Sequence, residues 1–318
     1  MMRAHLGWIA IMFVLVLGVP ALAQSTQPVA VLTEIKKGGQ DGEIRVKLAG
    51  KDEWRAPQPL MSLNVGDEIR VKGGAARAVI VFTGGASQTV NQANSPYKIT
   101  AQAAQGTGKQ VAGVFGGMAQ FLMGKEKEPV YTQLSTRSLK KDADVQLVIL
   151  APRETRLLPT QLKFAWTGGP DTGKYTVRVF GPKSVVWQAE DLSAKPVTYP
   201  DSAPKLEAGV RYRWEVRMTD ALPERAQFEL VSDGDWKRIR SQLAEIKTPS
   251  PTTTTLARVS LLFQERLYQS ALEELETAIT ADKTEPNLQF MLGHVYDRMG
   301  LREQAAAAFD LAQKLSTD

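Results

Sequence analysis

Cysteine is absent from the chain, and histidine occurs only at positions 5 and 294. Without a thiol there is no disulfide, no thiolate metal site, no cysteine nucleophile and no lipid-modified N-terminal cysteine. Long apolar runs are equally scarce. The run from Leu6 to Val19 is shorter than the roughly 20 residues a membrane span needs, and no later one approaches that length without charges. What the first 23 residues do contain is a basic start at Arg3, this apolar run and Ala21-Leu22-Ala23 before Gln24, the three parts of a secretory signal. The sequence predicts cleavage between Ala23 and Gln24, no remaining transmembrane span, and a periplasmic or secreted protein. His294 is then its only histidine.

The 318 residues are enough for two or three domains. From Pro28 to Thr100 apolar residues recur at period two: Ile44, Val46 and Leu48 alternate with Glu43, Arg45 and Lys47, and Ile69 and Val71 with Arg70 and Lys72. Turns are marked by Gly38-Gly39, Gly73-Gly74 and Gly84-Gly85. Between residues 101 and 132, six glycines interrupt a helical spacing of Val111, Val114, Phe115, Met118, Phe121 and Leu122. The sequence predicts a linker there with a short amphipathic helix, docked on a neighbouring domain or on a membrane surface. A second β region has alternating Leu162, Phe164 and Trp166, then Tyr175, Val177 and Val179, then Val210, Tyr212, Trp214, Val216 and Met218. Short strands at this spacing predict a β-sandwich with the aromatic stripes in its core, the other placement being an outer face that stacks sugars.

After Val231 the period becomes helical, with Ser232 placed to cap a helix from Asp233 to Ile246. Leu262, Ala271, Leu275 and Ala278 then return 34 residues later as Tyr296, Ala305, Phe309 and Ala312. The small residues let paired helices approach and the large ones fill between them.

These segments carry three resemblances. Trp54, the Leu63-Asn64-Val65-Gly66-Asp67-Glu68-Ile69 segment and the strand ending at Thr83-Gly84-Gly85 resemble a FecR-type periplasmic domain. The Phe164-x-Trp166 and Tyr212-x-Trp214-x-Val216 strands resemble a fibronectin type III or immunoglobulin-like domain. The 34-residue period, with Leu292-Gly293 in its second copy, resembles a tetratricopeptide repeat, although Gln289 stands where that family has tryptophan and the first copy has Arg258-Val259 in place of Leu-Gly. The whole resembles bacterial cell-envelope proteins with a FecR domain. The predicted architecture is multidomain, mainly β in the N-terminal two-thirds with an all-α tail: signal peptide 1–23, FecR-like β domain 24–100, linker 101–132, fibronectin or Ig-like sandwich 133–231 and tetratricopeptide-like domain 232–318.

Candidate chemistry is sparse. Gly168 through Gly173-Lys174 imitates a phosphate loop, but Tyr175 replaces the hydroxyl that magnesium needs and a strand follows where a helix should. Any Ser-His-Asp group would have to use His294, on the first helix of the second repeat. No catalytic, cofactor or metal site is expected, and the chain is read as noncatalytic. The resemblance to tetratricopeptide repeats implies a partner-binding groove lined by Phe263, Gln264, Phe290, His294, Asp297 and Arg298. The alternative is that these residues pack within the chain, or that the last helix forms a homodimer.

Charge is uneven: residues 256–318 hold ten acids and six bases, so the β half of the exported chain is the basic part. That asymmetry suits an anionic cell-wall polymer or lipid at the β domains and a protein partner at the tail; export argues against nucleic acid. The expected function is an envelope scaffold or adaptor. The other readings are a wall-polymer binding module and a signalling component related to FecR regulators, although only Met1 to His5 precede the apolar run and leave nothing to touch a sigma factor.

Overall fold

A computed structural model describes residues 28–102, 147–158, 162–170, 173–193, 196–218, 222–248 and 250–317. Over these, the N-terminal two-thirds is mostly β-sheet and the C-terminal part is helical. The expected signal sequence and the helix expected near residues 111–123 lie outside the described residues. Among those described, no helix is long and apolar enough to cross a membrane.

Strands β1 (Ala30–Lys36), β4 (Ser62–Leu63), β6 (Arg77–Phe82) and β7 (Ser87–Asn91) form one sheet in the order β4-β1-β6-β7. Strands β2 (Glu43–Lys47), β3 (Trp54–Arg55), β5 (Glu68–Lys72) and β8 (Tyr97–Lys98) form a second, β3-β2-β5-β8. The alternation in β2 and β5 sends Ile44, Val46, Ile69 and Val71 inward against Leu32, Ile80 and Phe82 of the first sheet. Gly38 holds a φ of 70° at a point where a Cβ would stand 2.4 Å from the Ala75 carbonyl oxygen, so this turn requires glycine.

The second β unit has a five-stranded and a three-stranded sheet. Strands β10 (Thr155–Leu157), β16 (Glu224–Leu230), β15 (Arg211–Met218), β12 (Tyr175–Phe180) and β13 (Val185–Leu192) lie in that order, and β14 (Val197–Thr198), β11 (Lys163–Thr167) and β9 (Val148–Ala151) make the smaller sheet. The aromatic stripes face each other across the core. Phe164, Trp166, Tyr175, Trp214 and Phe228 are all buried, and the Trp214 indole N–H donates to the Pro152 carbonyl at 2.7 Å. Gly168 to Pro170 and Gly173-Lys174 lie between β11 and β12, and the hydroxyl of Tyr175, the first residue of β12, donates to the Pro170 carbonyl at 2.7 Å.

Five helices follow among the described residues: α1 (Asp233–Glu245), α2 (Pro251–Gln264), α3 (Tyr268–Ala281), α4 (Pro286–Arg298) and α5 (Arg302–Thr317). The Ser232 hydroxyl caps α1 by accepting from the Asp235 N–H. The 34-residue period extends to the backbone. Arg266 and Gly300 have left-handed φ values of 59° and 74° at equivalent turns, and the next residues, Leu267 and Leu301, donate N–H bonds to the equivalent carbonyls of Leu262 and Tyr296. In the second hairpin a Cβ on Gly293 would come within 2.6 Å of the Phe309 ring, so glycine lets α4 and α5 close together.

The absence of cysteine, and so of disulfides, suggests domains that each rely on a separate core; the helical core instead takes in Val31, Leu60 and Val81 of the first β unit. The cause is strand β1, which is buried on both faces. A register shift between Leu32 and Glu34 puts Ala30, Leu32 and Ile35 in the sandwich core and turns Thr33 and Glu34 toward the helices. There β1 crosses the N-termini of α2 and α4. The Thr33 and Thr253 hydroxyls are 2.9 Å apart, and the Ser250 hydroxyl, which caps α2, donates to Glu34. Arg77 pairs with the other Glu34 oxygen at 2.6 Å. The carboxyl oxygens of Glu285, which caps α4, lie 3.1 and 3.2 Å from the Ile35 N–H that they accept, and the Asn287 side-chain oxygen accepts the Leu60 N–H at 2.6 Å. Lys36 and Asp282 pair at 3.1 Å at the rim.

Two predictions follow from this packing. Trp214→Ala should lower the unfolding free energy by about 3 to 5 kcal/mol, measured by denaturant titration, because it removes a fully buried ring and leaves the Pro152 carbonyl without its donor. The second concerns Glu285, whose pKa is pushed up to about 8 by burial, helped by the nearby Glu34 and Asp282 charges and opposed by its N–H donors. A carboxyl that keeps its proton only when folded stabilises the fold fully below its unfolded pKa, and this contribution is lost as pH rises to about 8. Stability of the parent relative to Glu285→Gln should therefore fall as pH is raised through that range. Parallel pH profiles for the two proteins would show that the carboxyl titrates as an ordinary one.

Candidate functional site

The inner ends of α2 and α4 enclose a cavity of about 230 Å³ lined by Ser260, Phe263, Gln264, Arg266, Tyr268, Met291 and Arg298. Its floor is apolar: the Phe263 and Tyr268 rings are tilted together at 5.2 Å, both largely buried, with Met291 fully so. Its rim is cationic. The Arg298 guanidinium lies 5.7 Å from the centre of the Phe263 ring, a cation–π contact that orients it over the opening. Burial raises the Tyr268 pKa, against the nearby positive charges of Arg298 and Arg266.

The turn that carries Arg266 is fixed from outside the helices. The Arg266 carbonyl accepts the Arg156 N–H at 2.8 Å and the Thr155 hydroxyl at 3.1 Å, while that hydroxyl oxygen accepts the Tyr268 N–H at 3.0 Å. Arg156 then pairs with Asp235 of α1, Glu265 at the end of α2 and Glu229 of β16, at 3.1, 3.3 and 3.4 Å. The equivalent turn of the second hairpin is held similarly, since the Arg153 guanidinium donates to the Met299 carbonyl at 2.5 Å and lies 3.4 Å from the position of a Cβ on Gly300. Residues 153–156 of the second β unit thus grip both helix–helix turns.

Of the six residues expected to line one groove, the structure brings Phe263, Gln264 and Arg298 together in the cavity. Phe290 and His294 belong to a different cluster: their rings meet edge to face at 4.7 Å, and Phe309 of α5 closes on them at 5.3 and 5.0 Å. Asp297 is outside the cavity lining. The reason is Gly293, which draws α5 so near that the neighbouring ring of His294 is engaged by Phe309. Burial drives the His294 pKa down to about 4, with the Arg298 charge adding to the effect. At neutral pH the imidazole is an uncharged packing surface. Arg266, Tyr268 and Met291 were not expected at the cavity. Tyr268 follows the Arg266 turn by two residues, and in the sequence that turn carries no glycine to mark it.

A larger cleft of about 730 Å³ runs between α1, α2 and α3 beside Lys36 and Arg77, crossed by the Arg258–Glu274 ion pair. Its walls include the seam that joins the first β unit to the helices.

Against known families, a model described as Domain of Unknown Function (DUF928) matches residues 189–309. No curated protein matches the chain. The matched stretch begins in β13 and ends in α5; it takes in β15, β16 and the helices as far as Phe309, while β10, β12 and residues 153–156 lie before it.

His294 offers a direct test of this geometry. Its imidazole should stay neutral down to about pH 5 and titrate near pH 4 by NMR, with stability lost as pH falls from its unfolded value toward that point. A midpoint near the ordinary value of about 6.5 would place the ring in open water instead.

Proposed function

We propose that this chain is a noncatalytic scaffold or adaptor of the bacterial cell envelope, exported by its first 23 residues, in which a FecR-like domain and a fibronectin or Ig-like sandwich hold a short tetratricopeptide-like tail that binds a protein partner. The observation that carries this reading is the cavity between α2 and α4. It has an apolar floor of Phe263, Tyr268 and Met291 beneath Arg266 and Arg298, and its volume of about 230 Å³ suits one or two side chains. Such a pairing favours an apolar residue next to a carboxylate, as at the C-terminus of a polypeptide or in an acidic-hydrophobic motif. The 34-residue equivalence of the Arg266 and Gly300 turns supports the tetratricopeptide likeness. The grip of residues 153–156 supports a scaffold in which the cavity is held open by its neighbours rather than formed on binding.

The test compares parent and Arg298→Ala chains as baits in envelope extract, with the mature N-terminus read by sequencing. Arg298→Ala removes the cation–π contact, worth about 0.5 to 1 kcal/mol, so capture is compared on chains shown to be folded by their melting. Loss of a captured polypeptide at nearly unchanged melting, together with an N-terminus at Gln24, is the expected result. Equal capture by both baits would remove the cavity from the reading, and an intact Met1 would remove export.

A further inference from the structure

The outer face of the larger sheet in the second β unit carries a group of charges that neither the core nor the helical cavity uses. At its centre Glu215, only 5% exposed, lies on the middle strand β15. Arg225 of β16 donates to one of its oxygens at 3.1 Å, and Arg178 of β12 approaches the other at 3.8 Å. Arg213 and Arg217 stand two residues before and after Glu215 on the same strand and so share its face, with Arg211 beyond them. One carboxylate is therefore surrounded by four arginines. Glu229, the carboxylate opposite Arg211, is engaged by Arg156, and Glu190 accepts from Gln188.

Arginines outnumber the carboxylates on this face, and each of these three carboxylates already has a partner. Here the buried carboxylate orders its two cross-strand partners: Arg178 also donates to Gln188 at 2.7 Å. Arg213 is held by a different contact, its guanidinium lying 4.9 Å above the Phe180 ring. The result is a row of planar cations, of which Arg178, Arg225 and Arg213 are held in place, on strands whose same-face residues are spaced by about 7 Å along a strand and about 5 Å between strands. Guanidinium groups match carboxylate, sulfate and phosphate oxygens in pairs. Between the arginines stand Thr176, Gln188 and Gln227, whose hydroxyl and amides are suited to hydroxyl groups. Phe180 is covered by Arg213, while its cross-strand partner Val185 is 46% exposed, so the apolar surface on this side is a single aliphatic side chain at the β13 end of the sheet.

We propose that this arginine face binds a linear acidic polysaccharide, laid across β12, β15 and β16. The inference goes beyond the adaptor reading and does not depend on the helical cavity; export enters only in favouring a polysaccharide over nucleic acid.

The test uses the chain from Gln24 onward, which contains every described residue, with alginate as probe and neutral dextran of similar length as control. Alginate should bind, and binding should weaken several-fold between 50 and 300 mM salt as screening tightens to a few ångströms. The double variant Arg213→Gln/Arg217→Gln, which removes the charges without crowding Glu215 with further carboxylates, should weaken it at least tenfold while the chain still melts cooperatively. Lys72→Glu, on the outer face of the first β unit, should change it less than twofold. Equal alginate binding by parent and double variant would overturn the proposal, as would dextran binding as tightly as alginate. So would phosphatidylglycerol vesicles, polyglutamate or a DNA oligonucleotide binding more tightly than alginate with the same dependence on Arg213 and Arg217, since each would assign the face to another class of partner.

Discussion

Strand β1 is the element on which the rest of the arrangement depends, because it is asked to belong to two cores at once. Its inward residues complete the first β unit, and its outward side presents Thr33, Glu34 and the Ile35 N–H to the first turns of α2 and α4. Helix N-termini expose donors that need acceptors, and a strand with one face spent on its own sheet has polar groups that need partners. Each deficiency is met by the other. Ser250 and Glu285 act as caps inside their helices and as partners across the seam, so one side chain at each helix start serves both the helix and the seam.

Burying such groups is costly unless they are satisfied, and the seam shows how close that balance lies. Glu34 is met by Arg77 and Ser250, but Glu285 has only N–H donors around it and a second acid nearby, which is why its carboxyl retains a proton near neutrality. The hydrophobic part of the interface, Val31, Leu60 and Val81 against the helical core, supplies the nonspecific attraction. The polar part fixes which residues meet. A slip of β1 by one residue would bring apolar Leu32 to the capping side chains and send Thr33 into the sandwich core.

Much of this was legible in the sequence, and the failures have physical causes. The period-two runs in β2, β5, β12 and β15 gave strands and inward faces correctly because one side of each is exposed or polar. Strand β1 reads Ala-Val-Leu-Thr-Glu-Ile-Lys, in which a bulge breaks the alternation, so no single face could be recognised and the shared core was hidden. The 34-residue spacing located the two hairpins. It could not show that Phe290 and His294 would be taken by Phe309, since that depends on how closely Gly293 lets α5 approach. Arg266 was missed as a turn residue because it adopts a conformation for which glycine is the usual sign, and the turn survives because Thr155 and Arg156 hold its carbonyl.

Two hairpins are fewer than a helical solenoid needs to bury its end faces. In this chain other elements close them. Ile239 and Leu243 of α1 enter the helical core, the first β unit covers the N-termini of α2 and α4, and residues 153–156 hold the opposite turns. The helices are therefore the joint between two β units more than a tail appended to them. Motion of the second β unit relative to α2 and α3 would have to break the bonds of Thr155 and Arg156 that also shape the cavity floor around Tyr268. Thr155 and Arg156 therefore serve two ends at once, attaching the second β unit to the helices and fixing the turn that carries Tyr268 into the cavity.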